Sequence, residues 1–405
     1  MIGRFLAVTS ILAGFLLVVT SGFDDRNAAV VEINGVNAAV ANVISPLSFG
    51  TMTMYWDQRN AALDFAQSNT RVSNIQASDL DLLQIQQVSR HGSRFPTDNT
   101  MEEITNLLDK LQTNYSSVIP HWLRNYSLPY NMSVAGVLSS TGFEELAEYG
   151  KRTRISDPLL RFYDICDRYL SEVKHNPNAS AELKAYGRSS QMNESIAYLK
   201  SRLNLPKSAV LTATDTRAAF AACAFDIMVY GTPTQWCSIM DQAFLNRLDY
   251  AEDLEAFYEQ GAGFKINYEM AAVLLQDIYT YMKNFTTGNT TIVGNLRFGH
   301  AETTIPLMTL LGYGDRTKLL SSWTDEQVDS RGFRTSVLSP TASNIDFRLY
   351  QGKTDKKYYV SVWIQEVEAP LPGCGSLYCE LSKVEKLWGY YLNDYKFKTA
   401  CKKQR

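Results

Sequence analysis

Between positions 90 and 96 the chain reads Arg90-His91-Gly92-Ser93-Arg94-Phe95-Pro96. Two guanidiniums around one imidazole are the residue types needed to hold a tetrahedral oxyanion and attack its central atom. Planar, permanently charged forks grip phosphate oxygens, and neutral imidazole is a nucleophile at moderate pH. Gly92 lets the backbone come close to a ligand. The bland alternative, a surface histidine between two salt-bridging arginines, leaves five fixed positions to coincidence. Far downstream stands a second cluster, Gly299-His300-Ala301-Glu302-Thr303. Alone it is a weak signal, readable as a polar helix start with Glu302 in the first turn. Yet the chain has only four histidines. The other two, His121 and His175, fall in polar stretches bearing glycosylation sequons and are expected on the surface.

The elements around these clusters give them their meaning. Leu82–Ser89 is apolar but interrupted by Gln84, Gln86 and Gln87, and its length predicts a strand. A loop to Thr100 follows, then a helix with a Thr100/Glu103 capping box and Met101, Ile104, Leu107, Leu108 and Leu111 on one face. The second cluster repeats this plan, with Ile292–Phe298 as the strand and Thr303–Leu311 as a helix closed by Gly312. Both histidines thus follow a strand and precede a helix, the place where open α/β sheets gather ligands and helix amino ends accept anions. Ile345–Tyr350 and Tyr358–Glu366 are predicted strands around a hairpin loop at Gln351–Lys357, and the stretch from Val134 to Lys283 is helical in pattern. The expected architecture is an α/β domain built from 46–130 and 290–405, interrupted by a mostly helical insertion at 131–289.

Composition excludes several classes. Of 405 residues, 39 are Lys or Arg and 42 Asp or Glu, a net charge of −3, so there is no global basic field for nucleic acid or an anionic membrane. Arg4 precedes an uncharged run, Phe5–Val19, whose 15 residues are short for a span needing ~20. Residues 1–22 are expected to be a signal peptide, followed by a leader at 23–45, with no stable membrane insertion. Sequons at Asn114, Asn125, Asn131, Asn178, Asn193, Asn284 and Asn289 and six cysteines fit a glycosylated, disulfide-bonded protein that is secreted or held in the endomembrane lumen. Six cysteines allow 15 pairings. No cysteine or histidine spacing suggests a metal site, and no cofactor is expected.

Arg90–Pro96 together with His300–Glu302 resembles the histidine phosphatase superfamily in its acid phosphatase and phytase branch. The His-Ala-Glu form is similar to that of the multiple inositol polyphosphate phosphatases. Further stretches agree, among them Ser48–Thr51 with Thr53 and Tyr55, Leu138–Gly150, Phe162–Val173, Trp236-Cys237 and Pro340–Asn344, so the likeness runs from about Ser45 to Gly373. It implies a central sheet flanked by helices and a phosphatase acting on inositol polyphosphates, phytate and lower inositol phosphates alike. His91 would be the nucleophile, with Arg90, Arg94 and His300 stabilising phosphoryl charge. Glu302 would be the proton donor and then the base. The second ring nitrogen of His91 then needs a defined partner, which the sequence does not reveal. The resemblance also implies disulfides Cys223–Cys237, Cys374–Cys379 and Cys166–Cys401. A broad-specificity acid phosphatase and an inactive phosphate-binding glycoprotein are the competing readings. Oligomeric state is left open.

One departure stands out. Relatives carry a third phosphate-binding arginine between the Leu138–Gly150 and Phe162–Val173 helices, on a segment that also adds a strand and a helix. Here Lys151-Arg152-Thr153-Arg154 runs almost directly into Asp157-Pro158-Leu159. Arg217, in Thr214-Asp215-Thr216-Arg217, mimics the third arginine, but its neighbours through Cys223, Phe225 and Trp236-Cys237 match a later helix. Unless Arg217 or Arg152 substitutes, the expected consequence is weak turnover and exposed apolar surface beside the sheet.

Overall fold

The computed structural model describes residues 45, 47–68, 75–150, 159–231, 233 and 235–403. The expected signal peptide, all but the last residue of the leader, and Arg152 lie outside them. A mixed sheet runs in the order β2 (Gly294–Gly299), β1 (Leu80–Arg90), β3 (Asn344–Gly352), β4 (Tyr358–Ile364), β5 (Val367–Ala369), and β6 (Cys379–Glu380) also pairs with β4. β1 and β2 are parallel, in register from Ile85 opposite Gly294 to Arg90 opposite Gly299, and the other pairings are antiparallel. None of the described residues between 131 and 289 lies in one of these strands.

From Gln86 to Arg90 every residue of β1 is buried. Its glutamines are tolerated there because each finds a partner, as buried polar groups must. Gln87 donates to Asp346 Oδ1 at 2.8 Å, Gln86 accepts from Arg297 at 3.0 Å, and Gln84 donates to the Ile292 carbonyl at 2.7 Å. Around them Val88, Ile345, Phe347, Leu349, Val360 and Val362 form the apolar layer of the sheet.

Helices cover this layer. The Asp98–Tyr115 helix buries Met101, Ile104, Leu107, Leu108 and Leu111, the face read from the sequence. It starts at Asp98, however, because Thr97 is already the extended cap residue after Pro96, so Thr100 and Glu103 lie inside the helix and the expected capping box does not form. The Ala213–Tyr230 helix is apolar nearly all round and almost wholly buried, as a central helix should be. Thr212 and Asp215 cap its start reciprocally, and Lys110 reaches Asp215 at 2.6 Å to tie the two helices together.

The expected strand at Ile292–Phe298 begins at Gly294, and its helix, predicted from Thr303, starts at Ala301, with His300 as cap. Gly312 ends that helix at φ +93°, a conformation that glycine alone adopts without strain. The strand predicted to reach Glu366 stops at Ile364, since Gln365 and Glu366 take φ of +46° and +62° and reverse the chain into β5. β2 forms the outer edge of the sheet, and just ahead of it Val293 is 65% exposed. Phe143, on the Ser140–Gly150 helix, is 68% exposed. Apolar side chains therefore stand exposed ahead of the edge strand and on the Ser140–Gly150 helix.

The three disulfides join Cys166 to Cys401, Cys223 to Cys237 and Cys374 to Cys379, and leave no described cysteine free. The first closes a loop of 235 residues and fastens the carboxyl end to the helical region. Closing so long a loop removes much freedom from the unfolded chain. Replacing Cys166 and Cys401 together by serine should lower unfolding free energy by about 3–5 kcal/mol, seen as a lower urea midpoint. An unchanged midpoint would show that this tether adds nothing.

Candidate active site

Because β1 and β2 are parallel neighbours, the residues after them emerge side by side. The His91 N–H donates to the Gly299 carbonyl at 3.1 Å, and the rings of His91 and His300 stand 5.6 Å apart, edge to face. Arg90, His91, Arg94, His300 and Glu302 line one cavity of about 440 Å³. All five residues singled out in the sequence thus meet there. His121 and His175 are exposed elsewhere.

The loop is held rigidly from behind. Ser93 is fully buried, and both its N–H and its hydroxyl donate to Glu145 of the Ser140–Gly150 helix, at 2.5 and 3.0 Å. Thr341 donates to the same carboxylate at 3.1 Å. A Cβ on Gly92 would stand 2.3 Å from the Gly142 carbonyl. The close approach Gly92 permits is therefore to the backbone of this helix, a correction to the reading that it makes room for ligand. On the other side, Ala342 donates to the His91 carbonyl at 2.8 Å, and the Arg90 N–H to Ser343 at 2.7 Å. Ala342 takes φ +52°, a costly conformation for a residue with a Cβ, held by these contacts.

The electrostatics follow from this burial. Arg90 is buried and its guanidinium donates to the carbonyls of Ser339, at 2.7 Å, and Thr51. Desolvation, then the nearby Arg94, bring its pKa down to about 10, still a cation at any working pH. His91 Nδ1 lies 2.9 Å from the Gly92 carbonyl. A carbonyl only accepts, so Nδ1 carries the proton and Nε2 keeps its lone pair. Burial, then the charge of Arg90, push the His91 pKa down to about 2, so the ring is neutral. Burial also lowers the pKa of His300, with Arg161, Arg90 and Arg94 adding to it against the opposing pull of Glu302. His300 is the cap residue of the Ala301–Leu311 helix, whose amino end thus meets the cavity. Thr303, bonded to the His300 N–H at 3.1 Å and to the Leu160 carbonyl at 2.7 Å, fixes that end.

Neither substitute for the third arginine is seen in this cavity. Arg152 lies outside the described residues, and Arg217 is held by Glu252 and Glu255 at 2.9 and 2.5 Å in the adjoining space. A different cation stands beside His300, outside the residues that line the cavity. Arg161 places Nη1 3.4 Å from His300 Nε2, while its Nε pairs with Asp164 at 2.6 Å and the guanidinium lies over Tyr163. Sequence reasoning missed it. The available signal was its position one residue before the Phe162–Val173 stretch. Glu145 and Gln260, the latter a lining residue, were missed too, since nothing local marks either.

A sheet that sets two histidines and two arginines around one cavity at the ends of parallel strands is the arrangement of a known class. Residues 81–156 and 155–365 match the family model for the histidine phosphatase superfamily (branch 2), and the chain belongs to that family. It is 25% identical to multiple inositol polyphosphate phosphatase 1 of Dictyostelium discoideum, with 81% of this chain and 69% of that protein covered. That alignment runs over 443 residues, longer than this 405-residue chain, so parts of the relative have no counterpart here. The human protein of the same name is 30% identical over 235 residues, covering 55% of this chain and 47% of its own length. The chain thus spans about half the length of the human relative. Among solved structures, the multiple inositol polyphosphate phosphatase of Bifidobacterium longum in complex with inositol hexasulfate superposes with a TM-score of 0.63 at 14% identity, covering 86% of this chain and 98% of that one. This likeness extends to the fold.

The state of His91 can be measured. In the folded protein it stays neutral down to about pH 2, whereas in the unfolded chain it protonates near its ordinary value of about 6.5. Acidification through that window supplies protons to the unfolded state, so the stability tied to a neutral His91, intact above pH ~6.5, is lost as pH falls toward 2. His91→Asn should therefore flatten the loss of stability on acidification. In the parent protein the His91 ring resonances should not titrate between about pH 4 and 8. A titration midpoint near 6.5 would contradict the buried, carbonyl-tied imidazole.

Proposed function

We propose that this chain is a phosphomonoesterase working through a phosphohistidine, and that its substrates are inositol phosphates. The observation that carries the reading is the Nδ1 contact of His91 with the Gly92 carbonyl, which leaves Nε2 as a free nucleophile in a cavity lined by Arg90 and Arg94. Nε2 attacks phosphorus, the bond to the ester oxygen breaks, and Glu302 gives its proton to the departing alkoxide. Glu302, now a carboxylate, takes a proton from water, whose oxygen attacks the same phosphorus and breaks the N–P bond, releasing inorganic phosphate. Arg90, Arg94 and His300 meet the charge on the equatorial oxygens throughout. The substrate class rests on the names of the relatives, which extend from inositol polyphosphate phosphatases to a phytase and acid phosphatases.

Arg161 takes the place of the absent third arginine in this reading. Its contact with His300 puts a permanent cation beside one of the groups that would meet phosphoryl charge. No helix among the described residues is long and apolar enough to cross a membrane, and the three disulfides fit an oxidising compartment. Secretion or lumenal residence with glycosylation completes the proposal. Asn284 is half-buried, and the asparagines of the other six sequons are exposed.

Two substitutions test these roles against inorganic phosphate as a binding probe. Glu302→Gln should reduce kcat by ~10²–10⁴ while largely sparing phosphate inhibition, because the proton donor is lost but the arginines remain. Equal loss of phosphate affinity would make Glu302 structural. Arg161→Ala should reduce kcat/KM by ~10² and weaken phosphate inhibition as well. If Arg161→Ala leaves both unchanged, the third cation is elsewhere.

A further inference from the structure

The cavity around His91 opens into a second one of about 400 Å³, and the two share Thr51, Arg90, Arg94, Gln260 and Glu302. A phosphoryl group seated between Arg90 and Arg94 leaves the rest of its ester in that second space. Its walls carry five carboxylates, Glu103, Glu252, Glu255, Glu259 and Glu302, against four cations, two of which are Arg90 and Arg94 themselves. The other two are already engaged. Arg217 is clamped between Glu252 and Glu255, and Lys174 pairs with Glu259 at 2.9 Å. Gln260 adds a side-chain oxygen with no hydrogen-bond partner among the described residues. Beyond the reacting phosphate, this wall offers acceptors and negative charge, and no described lining cation stands uncommitted.

Such a wall is complementary to hydroxyl donors and opposed to further phosphates, each of which carries about −1.5 to −2 charges near neutral pH. In a cleft with low-dielectric walls, like charges at close range are a means of rejection. We propose that Glu252, Glu255 and Glu259 are specificity residues that select inositol esters bearing few phosphates and reject the hexakisphosphate. This rests on the phosphatase reading above and narrows its substrate class.

The experiment compares inositol monophosphate with inositol hexakisphosphate on the parent chain and on Glu255→Gln/Glu259→Gln. The parent should show the higher kcat/KM on the monophosphate, and the variant should raise the hexakisphosphate-to-monophosphate ratio by about tenfold or more. A parent that prefers the hexakisphosphate, or a variant that leaves the ratio unchanged, overturns the proposal. Binding to His91→Ala, measured by calorimetry, separates this from the catalytic reading. There the hexakisphosphate should bind no more tightly than inorganic phosphate, and the two Glu→Gln changes should tighten it selectively. That binding order in a parent with no turnover would refute the phosphatase reading and sustain the charge assignment, whereas tight hexakisphosphate binding refutes the charge assignment whether or not the parent turns over.

Discussion

The site depends on one pairing: two parallel strands, β1 and β2, in a sheet whose other pairings are antiparallel. Their register sets Arg90 opposite Gly299, and the hydrogen bond from His91 to Gly299 carries the match one residue beyond the strand. A shift of one residue would turn every β1 side chain to the other face and part the two histidines. What keeps the register is the buried polar lattice within the sheet, where Gln84, Gln86 and Gln87 have partners in this alignment. Specificity of pairing and placement of the proposed nucleophile are thus the same structural fact.

A second layer of constraint holds the loop itself. Glu145 receives Ser93 and Thr341, the Gly92 backbone lies against Gly142, and the strained Ala342 carries the hydrogen bond to His91. These contacts fix the imidazole in the tautomer that a nucleophile requires, and burial beside Arg90 keeps it unprotonated. The buried carboxylate of Glu145 thus braces the loop from behind.

Much of this was legible in the sequence because it is local. Arg90–Pro96 and His300–Glu302 sit in strand-loop-helix units with clear periodicity, and the five residues singled out by those motifs together with the family resemblance meet in one cavity. The boundaries that differ do so for local reasons that compete closely, as at Thr97, where the extended cap after Pro96 starts the helix earlier, and at Gln365-Glu366, where positive φ breaks an otherwise strand-like run. Arg161 and Glu145 were harder to read, since each acts across a long sequence separation and only Arg161 has a telling neighbour, the Phe162–Val173 stretch. The charge of the second cavity was hidden for the same reason. Glu252, Glu255 and Glu259 look like the solvated face of a helix until the fold sets them beside Arg217 and Lys174.

Central to the proposed function is transfer of the phosphoryl group to Nε2 of His91. The direct measurement is rapid quenching of the protein with phosphate-labelled substrate, followed by peptide mapping. The label should be acid-labile and base-stable, and should lie on the peptide that contains His91. Label on a serine or aspartate, or active turnover with no trapped label on this peptide, would contradict it.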